Sequence, residues 1–265
     1  LRSLYSEQDV IILENVSKRY FLQPHRMVEL KKAVLHLPTF LKNNRARQAF
    51  WALRDVSFTV HRGESVGIIG ANGAGKSTLL RIVSKLAPLT KGRITVRGRV
   101  SPLLELGAGF HPQLSGRDNA MINAVLLGLP RREAQEKLPE IAEFSELGDF
   151  IDQPMRTYSS GMYVRLGFAV AVYVRPKILL VDEVLAVGDA EFQSKCFDHI
   201  EKLRRDKVTI VLVSHDLENV KRFCDRAILL NHGVVAADGK PQEVVDEYLS
   251  SPSGFAAAPA SPADY

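Results

Sequence analysis

The sequence predicts an α/β fold built on a mostly parallel central sheet, and three observations carry that prediction. Ser65-Val66-Gly67-Ile68-Ile69-Gly70 is a short apolar strand that runs straight into a glycine-rich loop and then a helix. Three more compact apolar runs, Ile178 to Val181, Val208 to Val213 and Ala227 to Leu230, are separated by helical segments. Strands that alternate with helices pair in parallel. Between these two groups, the stretch from about Leu103 to Val174 is mostly helical, interrupted by Gly and Pro turns. The size fits: 265 residues, 46% apolar and 25% charged, bury a large core without disulfide staples.

From the N-terminus, residues 9 to 22 read as strand material, with Val10-Ile11-Ile12-Leu13 followed by Val16 to Phe21. Residues 23 to 49 break that pattern. They hold Arg26, Lys31, Lys32, Lys42, Arg45 and Arg47 against a lone Glu29, a net of +5 that equals the charge of the whole chain. Leu30, Ala33, Val34 and Leu37 fall at helical spacing there, and Pro38 ends or kinks the helix. A short basic amphipathic helix can lie in a membrane interface, dock on a partner or simply pack on its own domain. Trp51 to Val60 resumes strand alternation, and His61-Arg62-Gly63-Glu64 is a turn. After the glycine-rich loop, Thr78 to Leu86 is expected to be helical, with Leu79, Leu80, Val83 and Leu86 facing inward. A second helix is expected over Val164 to Val174. Residues 251 to 265 contain only Ser, Pro, Gly, Ala, Phe, Asp and Tyr, so that tail is expected to be disordered. No internal repeat is visible.

Composition narrows the function. Lys+Arg is 35 and Asp+Glu is 30, a mild basicity that suits nucleic acid or an anionic membrane but requires neither. Cys196 and Cys224 have no C-x-x-C spacing, which gives neither a metal site nor a disulfide framework; two semi-buried thiols in a reducing compartment are expected. The longest uncharged apolar run, Leu166 to Val174, is far shorter than the roughly twenty residues of a membrane span. No secretory signal precedes the first charges. A soluble, cytoplasmic chain is therefore expected. Because it begins at Leu1, its true start is expected to be missing or processed.

Four motifs carry chemistry. Gly70-Ala71-Asn72-Gly73-Ala74-Gly75-Lys76-Ser77 fits G-x-x-x-x-G-K-[ST], with a strand before it and a helix after it. Such glycines let successive backbone N–H groups curl around phosphate oxygens, and the helix N-terminus faces the same anion. Lys76 can reach β- and γ-phosphates, and Ser77 can ligate Mg²⁺. Ile178 to Val181 then delivers Asp182 and Glu183 at a strand's C-terminal end, where ligands of open α/β sheets bind. Asp182 would hold Mg²⁺, and Glu183 would act as general base on the attacking water. Val213-Ser214-His215-Asp216 ends another strand, which places His215 to meet a γ-phosphate. Tyr158-Ser159-Ser160-Gly161-Met162 opens a helix, where Ser159 and the N–H of Gly161 form a second anion site.

In this order the four motifs resemble the nucleotide-binding domain of ABC transporters, over residues 10 to 250. The resemblance implies a P-loop α/β domain over residues 1–250, with an N-terminal antiparallel β part and a helical subdomain near 103–175. It implies ATP and Mg²⁺ as cofactors, with Asn72, Gly73, Ala74, Gly75, Lys76, Ser77 and Thr78 around the phosphates and Tyr20 stacked on adenine. It further implies a head-to-tail homodimer in which Ser159 and Gly161 complete the partner's site and Asp189 of Val187-Gly188-Asp189 crosses the seam. The chain departs from the family twice. Its signature reads Tyr-Ser-Ser-Gly-Met, and the usual Q-loop glutamine is replaced by Glu105 or Leu106, of which Glu105 is assigned to the metal.

The departures themselves resemble one subgroup, the ATPase subunits of exporters of O-antigen, teichoic acid, capsule and galactan. The similarity lies in Leu104 to Pro112, Tyr158 to Met162, Val184 to Ala190 and the basic insertion. The resemblance implies two copies of a separate polytopic membrane subunit and a polyprenyl-linked glycan as cargo. It also implies a peripheral place on the cytoplasmic face of the inner membrane, with no nucleic acid expected. As the sequence stops near Ser250 plus a tail, a C-terminal carbohydrate-binding domain is expected to be absent. Export of a lipid or drug, a non-transport ABC ATPase and a scaffold with degenerate sites are the rival readings. The intact Lys76, Asp182, Glu183 and His215 oppose the last.

Overall fold

A computed structural model describes residues 5–22, 48–104, 106–182 and 188–250. The basic segment as far as residue 47, Glu105, Glu183, residues 184–187 and the tail from 251 lie outside the described residues. Two long strands, β1 (Asp9–Leu22) and β2 (Gln48–His61), pair antiparallel, and β4 (Lys91–Val96) adds to the other edge of β1 in the order β2-β1-β4. The second sheet has six strands. These are β3 (Ser65–Ile69), β5 (Val100–Pro102), β6 (Ile178–Val181), β7 (Thr209–Val213), β8 (Arg226–Asn231) and β9 (Val234–Gly239). Their order is β5-β6-β7-β3-β8-β9, parallel throughout except for the antiparallel edge strand β9.

The near-continuous apolar composition of β6, β7 and β8 follows from burial of both sheet faces. Ile178, Leu180, Val211, Val213, Ile228 and Leu230 point to a core shared with β1, β2 and the helix α1 (Lys76–Val83). The alternate residues Leu179, Val181, Ile210, Leu212, Ala227 and Leu229 point to a second core. Helices fill that side: α2 (Gly116–Leu126), α3 (Arg131–Ser145), α4 (Ser160–Tyr173), α5 (Ala190–Arg205), α6 (Leu217–Phe223) and α7 (Pro241–Ser250). Two short 3₁₀ turns, Gly148–Asp152 and Met155–Thr157, join α3 to α4. Phe168 of α4 is fully buried, with Phe144 stacked at 5.9 Å and Phe192 edge-on at 6.3 Å. Truncating such a ring to alanine costs about 3–5 kcal/mol.

Some local expectations need correction. Helix α1 starts at Lys76 rather than Thr78, because Gly75, at φ 105°, turns the loop directly into the helix. It ends at Val83, and Lys85 takes a left-handed φ of 63°. The chain therefore leaves the helix before Leu86, which is 56% exposed rather than inward-facing. Helix α4 starts at Ser160, four residues before the expected Val164. The thiols are more deeply buried than expected. Cys196 is fully enclosed and Cys224 nearly so, and burial pushes both up to about 12. Among the described residues no helix is long and apolar enough to cross a membrane.

Candidate functional site

The parallel register sets the site. Ile68 of β3 lies beside Val213 of β7, and Leu212 of β7 beside Val181 of β6. The three strands thus end within a residue or two of each other. Gly70, Ser214-His215 and Asp182 leave them at one edge of the sheet, the edge at which α/β folds bind ligands.

The loop from Gly70 to Ser77 is held from behind. Gly75 is so close to β2 that a Cβ there would sit 2.5 Å from the Ala52 carbonyl oxygen and 2.8 Å from Leu53 Cδ2. A Cβ on Gly233, in the turn between β8 and β9, would meet the same Ala52 oxygen at 2.7 Å. Gly233 donates to the Ala74 carbonyl at 3.0 Å, and Arg54 donates to the Gly233 carbonyl at 2.7 Å. The loop, the β8–β9 turn and β2 therefore form one backbone clamp. Lys76, only 7% exposed, donates to the carbonyls of Gly70 (2.7 Å) and Ala71 (3.1 Å), which holds its ammonium over the loop. No side chain caps α1, so its first-turn N–H groups face the loop's concave side. Ala74 is buried, Thr78 is half-buried, and Asn72, Gly73 and Ser77 are exposed. A cradle that excludes Cβ atoms, backed by an ammonium and a helix N-terminus, fits a polyphosphate.

A cavity of about 300 Å³ opens beside this loop, lined by Gly70, Ala71, Asn72, Ser214, His215, Leu217 and Tyr248. It brings the exposed His215 to the phosphate loop, as the strand ends suggested. Asp216 fixes the histidine's approach. Its carboxylate caps α6 by accepting from Glu218 and Asn219 N–H at 3.0 and 3.3 Å, and its own N–H donates to Ser214 Oγ at 2.9 Å. Asp182 is half-buried at the end of β6 and carries an oxygen donor of the kind Mg²⁺ accepts. Tyr248 was not singled out from sequence. The buried pair Val244-Val245 on α7 was the available signal, since Tyr248 follows them at helical spacing.

Ser159, Gly161 and Asp189 do not line this cavity. Ser159 is the exposed N-cap of α4, with Oγ accepting from Met162 N at 3.2 Å. A Cβ on Gly161 would meet only Ser159 Oγ, at 3.9 Å, so the cap presents open space. Asp189 is the exposed N-cap of α5, accepting from Phe192 N at 3.0 Å. Tyr20, 38% exposed near the end of β1, has the Lys18 ammonium 4.8 Å from its ring centre. Glu183 and Glu105 lie outside the described residues.

The loop following Glu105 is rigidly built. Tyr163 of α4 donates to the Gly107 carbonyl at 2.8 Å and meets Phe110 edge-on at 5.2 Å. Asn119 of α2, 1% exposed, accepts from His111 N–H at 2.6 Å and donates to the carbonyls of His111 (3.0 Å), Leu114 (3.2 Å) and Ser115 (2.9 Å). Beside this loop α2 exposes Ile122, Val125 and Leu126, the last at 70%.

A family model described as ABC transporter matches residues 53–186. Among curated proteins, an O-antigen export system ATP-binding protein RfbB from Klebsiella pneumoniae is 46% identical over 241 residues, covering 91% of this chain and 98% of that protein. A teichoic acids export ATP-binding protein TagH from Lactococcus lactis is 44% identical, but this chain spans only 49% of its length, against 89% of its own. Among solved structures, the ATP-binding cassette MJ0796, a dimer in a post-hydrolysis state bound to ADP and Pi, superposes with a TM-score of 0.67 at 25% identity. That match covers 87% of this chain and 98% of the other.

Proposed function

As this chain belongs to the ABC transporter family and is an ATP-binding, ATP-hydrolysing domain of it, we propose that it powers export of a polyprenyl-linked cell-surface polysaccharide. On this reading it works as a homodimer beneath two copies of a separate membrane subunit, on the cytoplasmic face of the inner membrane. The observation that carries the ATPase half is the single cavity shared by the phosphate loop and His215 at the carboxyl edge of the sheet. The cargo half is supported by the relatedness, over nearly the whole chain, to ATP-binding proteins named for O-antigen export.

The residues divide the work by position. The backbone from Asn72 to Thr78 wraps the phosphates, and Lys76 neutralises the β- and γ-oxygens. Tyr20 stacks on the base. Ser77 and Asp182 would hold Mg²⁺, with Glu105 as a further candidate ligand. The bound ion supplies charge neutralisation on the phosphate oxygens. Glu183 takes the proton from the attacking water, and His215 donates to the γ-phosphate, so the water is aligned in line with the leaving group. Ser159 and Gly161 act on the second copy's nucleotide through the N-terminus of α4, and Asp189 reaches across the same seam. Closing the pair around ATP moves α2 to α4, and the exposed face of Ile122, Val125 and Leu126 transmits that movement to the membrane subunit.

Co-purification with the membrane protein encoded beside it tests the transport half. A polytopic partner that raises ATPase activity, with loss of surface polysaccharide on deletion, supports the proposal. Recovery of ribosomes or nucleic acid in its place would overturn it.

A further inference from the structure

We infer that Phe50 forms, together with Tyr20, an aromatic seat for the adenine base. The inference rests on the reading that Tyr20 stacks on that base. Tyr20 and Phe50 are direct cross-strand partners in the β1–β2 pair, so their side chains stand on one face of the sheet. Both are large rings left open to solvent, 38% and 40% exposed. One side of Tyr20 is already engaged. The Lys18 ammonium lies 4.8 Å from the ring centre and is fixed there by donating to the Pro88 carbonyl at 2.7 Å. A base therefore stacks on the other side of Tyr20, with Phe50 as the adjoining apolar wall.

The strand then leads from this wall to the phosphates. Phe50 lies two residues before Ala52 on β2, at the point where Ala52 bulges out of the β1–β2 register. Ala52 is the residue whose carbonyl abuts Gly75 of the phosphate loop. Two strand residues, at most about 7 Å of backbone, separate Phe50 from the Ala52 carbonyl that abuts the loop, which is the scale of the ribose and first phosphate between a base and its outer phosphates. The neighbouring rings face the other way and are occupied by cations. Arg19 lies 4.8 Å from the Phe21 ring centre and 5.3 Å from that of Trp51.

The test compares ATP with inorganic tripolyphosphate, a ligand that carries the phosphates and no base. Binding of each to the full chain is measured by calorimetry for wild type, Phe50→Ala, Phe50→Trp and Tyr20→Ala. Phe50→Ala is expected to weaken ATP roughly five- to tenfold and leave tripolyphosphate unchanged, and Phe50→Trp is expected to restore ATP affinity. Unchanged ATP binding in Phe50→Ala, or equal weakening of both ligands, overturns the inference. The Tyr20 variant keeps the two readings apart. If Tyr20→Ala loses ATP selectively while Phe50→Ala does not, base stacking stands and the role of Phe50 falls. If Tyr20→Ala changes nothing, the stacking reading falls with it.

Discussion

Arg165, in the second turn of α4, donates to the Asp189 carboxylate at 2.7 Å and so ties the Ser159-capped helix to the start of α5. The same guanidinium reaches Glu146 Oε2 at 2.9 Å and lies 4.6 Å from the Phe192 ring centre. Glu146, the left-handed C-cap of α3 at φ 56°, also accepts from Lys195 at 2.6 Å. Three helices thus meet on one small charge network. Arg165→Ala is expected to lower kcat about tenfold with little change in ATP affinity, because it frees the two elements proposed to act on the second copy's nucleotide. A double-mutant cycle with Glu146→Gln measures the coupling; additive effects would show that the network does not act as a unit.

Glu183→Gln is expected to keep ATP binding and reduce turnover at least a hundredfold, since a residue in the proposed role of base would remove a proton only during hydrolysis. Size-exclusion chromatography with ATP should then find a persistent dimer. A variant that turns over at the wild-type rate would remove Glu183 from the role of base.

The face of α2 gives a prediction about assembly. Leu126 is 70% exposed on a helix whose buried side is Ala120 and Ala124, so a charge there disturbs no core packing. Leu126→Glu is expected to fold and bind ATP normally but to lose co-purification with the membrane subunit. Retained co-purification would move the docking face elsewhere.

Stability should depend on pH through His199. Burial beside Phe144 and Tyr173 holds its imidazole below the usual 6.5, with Lys202 adding to the effect and Asp206 opposing it. Between the folded value and 6.5 the unfolded chain binds the extra proton, so stability rises with pH through that window and is lost as pH falls. Scanning calorimetry should show Tm falling as pH drops from about 7.5 to about 5.5, with the slope reduced in His199→Phe. An identical slope in that variant would assign the effect to other groups.

What could be read in advance divides by physical cause. The positions of Lys76, Asp182 and His215 were legible because each follows an apolar strand, and parallel pairing aligns strand ends. Strands β4, β5 and β9 were not. Lys91–Val96 is largely exposed and opens with Lys-Gly-Arg, Val100–Pro102 is three residues, and Val234–Gly239 is never fully buried. Their extended form comes from neighbours already in place, which no local pattern records. The role of Asn119 was hidden for a similar reason: four hydrogen bonds to a folded-back loop leave no trace in spacing. Tyr163 and Arg165 follow Gly161 directly on α4, but their partners, Gly107 and Asp189, are brought to them only by the fold.

The clamp at Ala52 fixes a length. Phosphates would rest on a loop of the six-stranded sheet and the base on a hairpin of the three-stranded one. Between them stands a peptide carbonyl wedged against two glycines from distant parts of the chain. Side-chain substitution can change what each end of this ruler touches, but the gap between the ends is set by main chain alone. Substitutions in the signature or in the loop after Glu105 would therefore leave the gauge for a nucleotide unchanged.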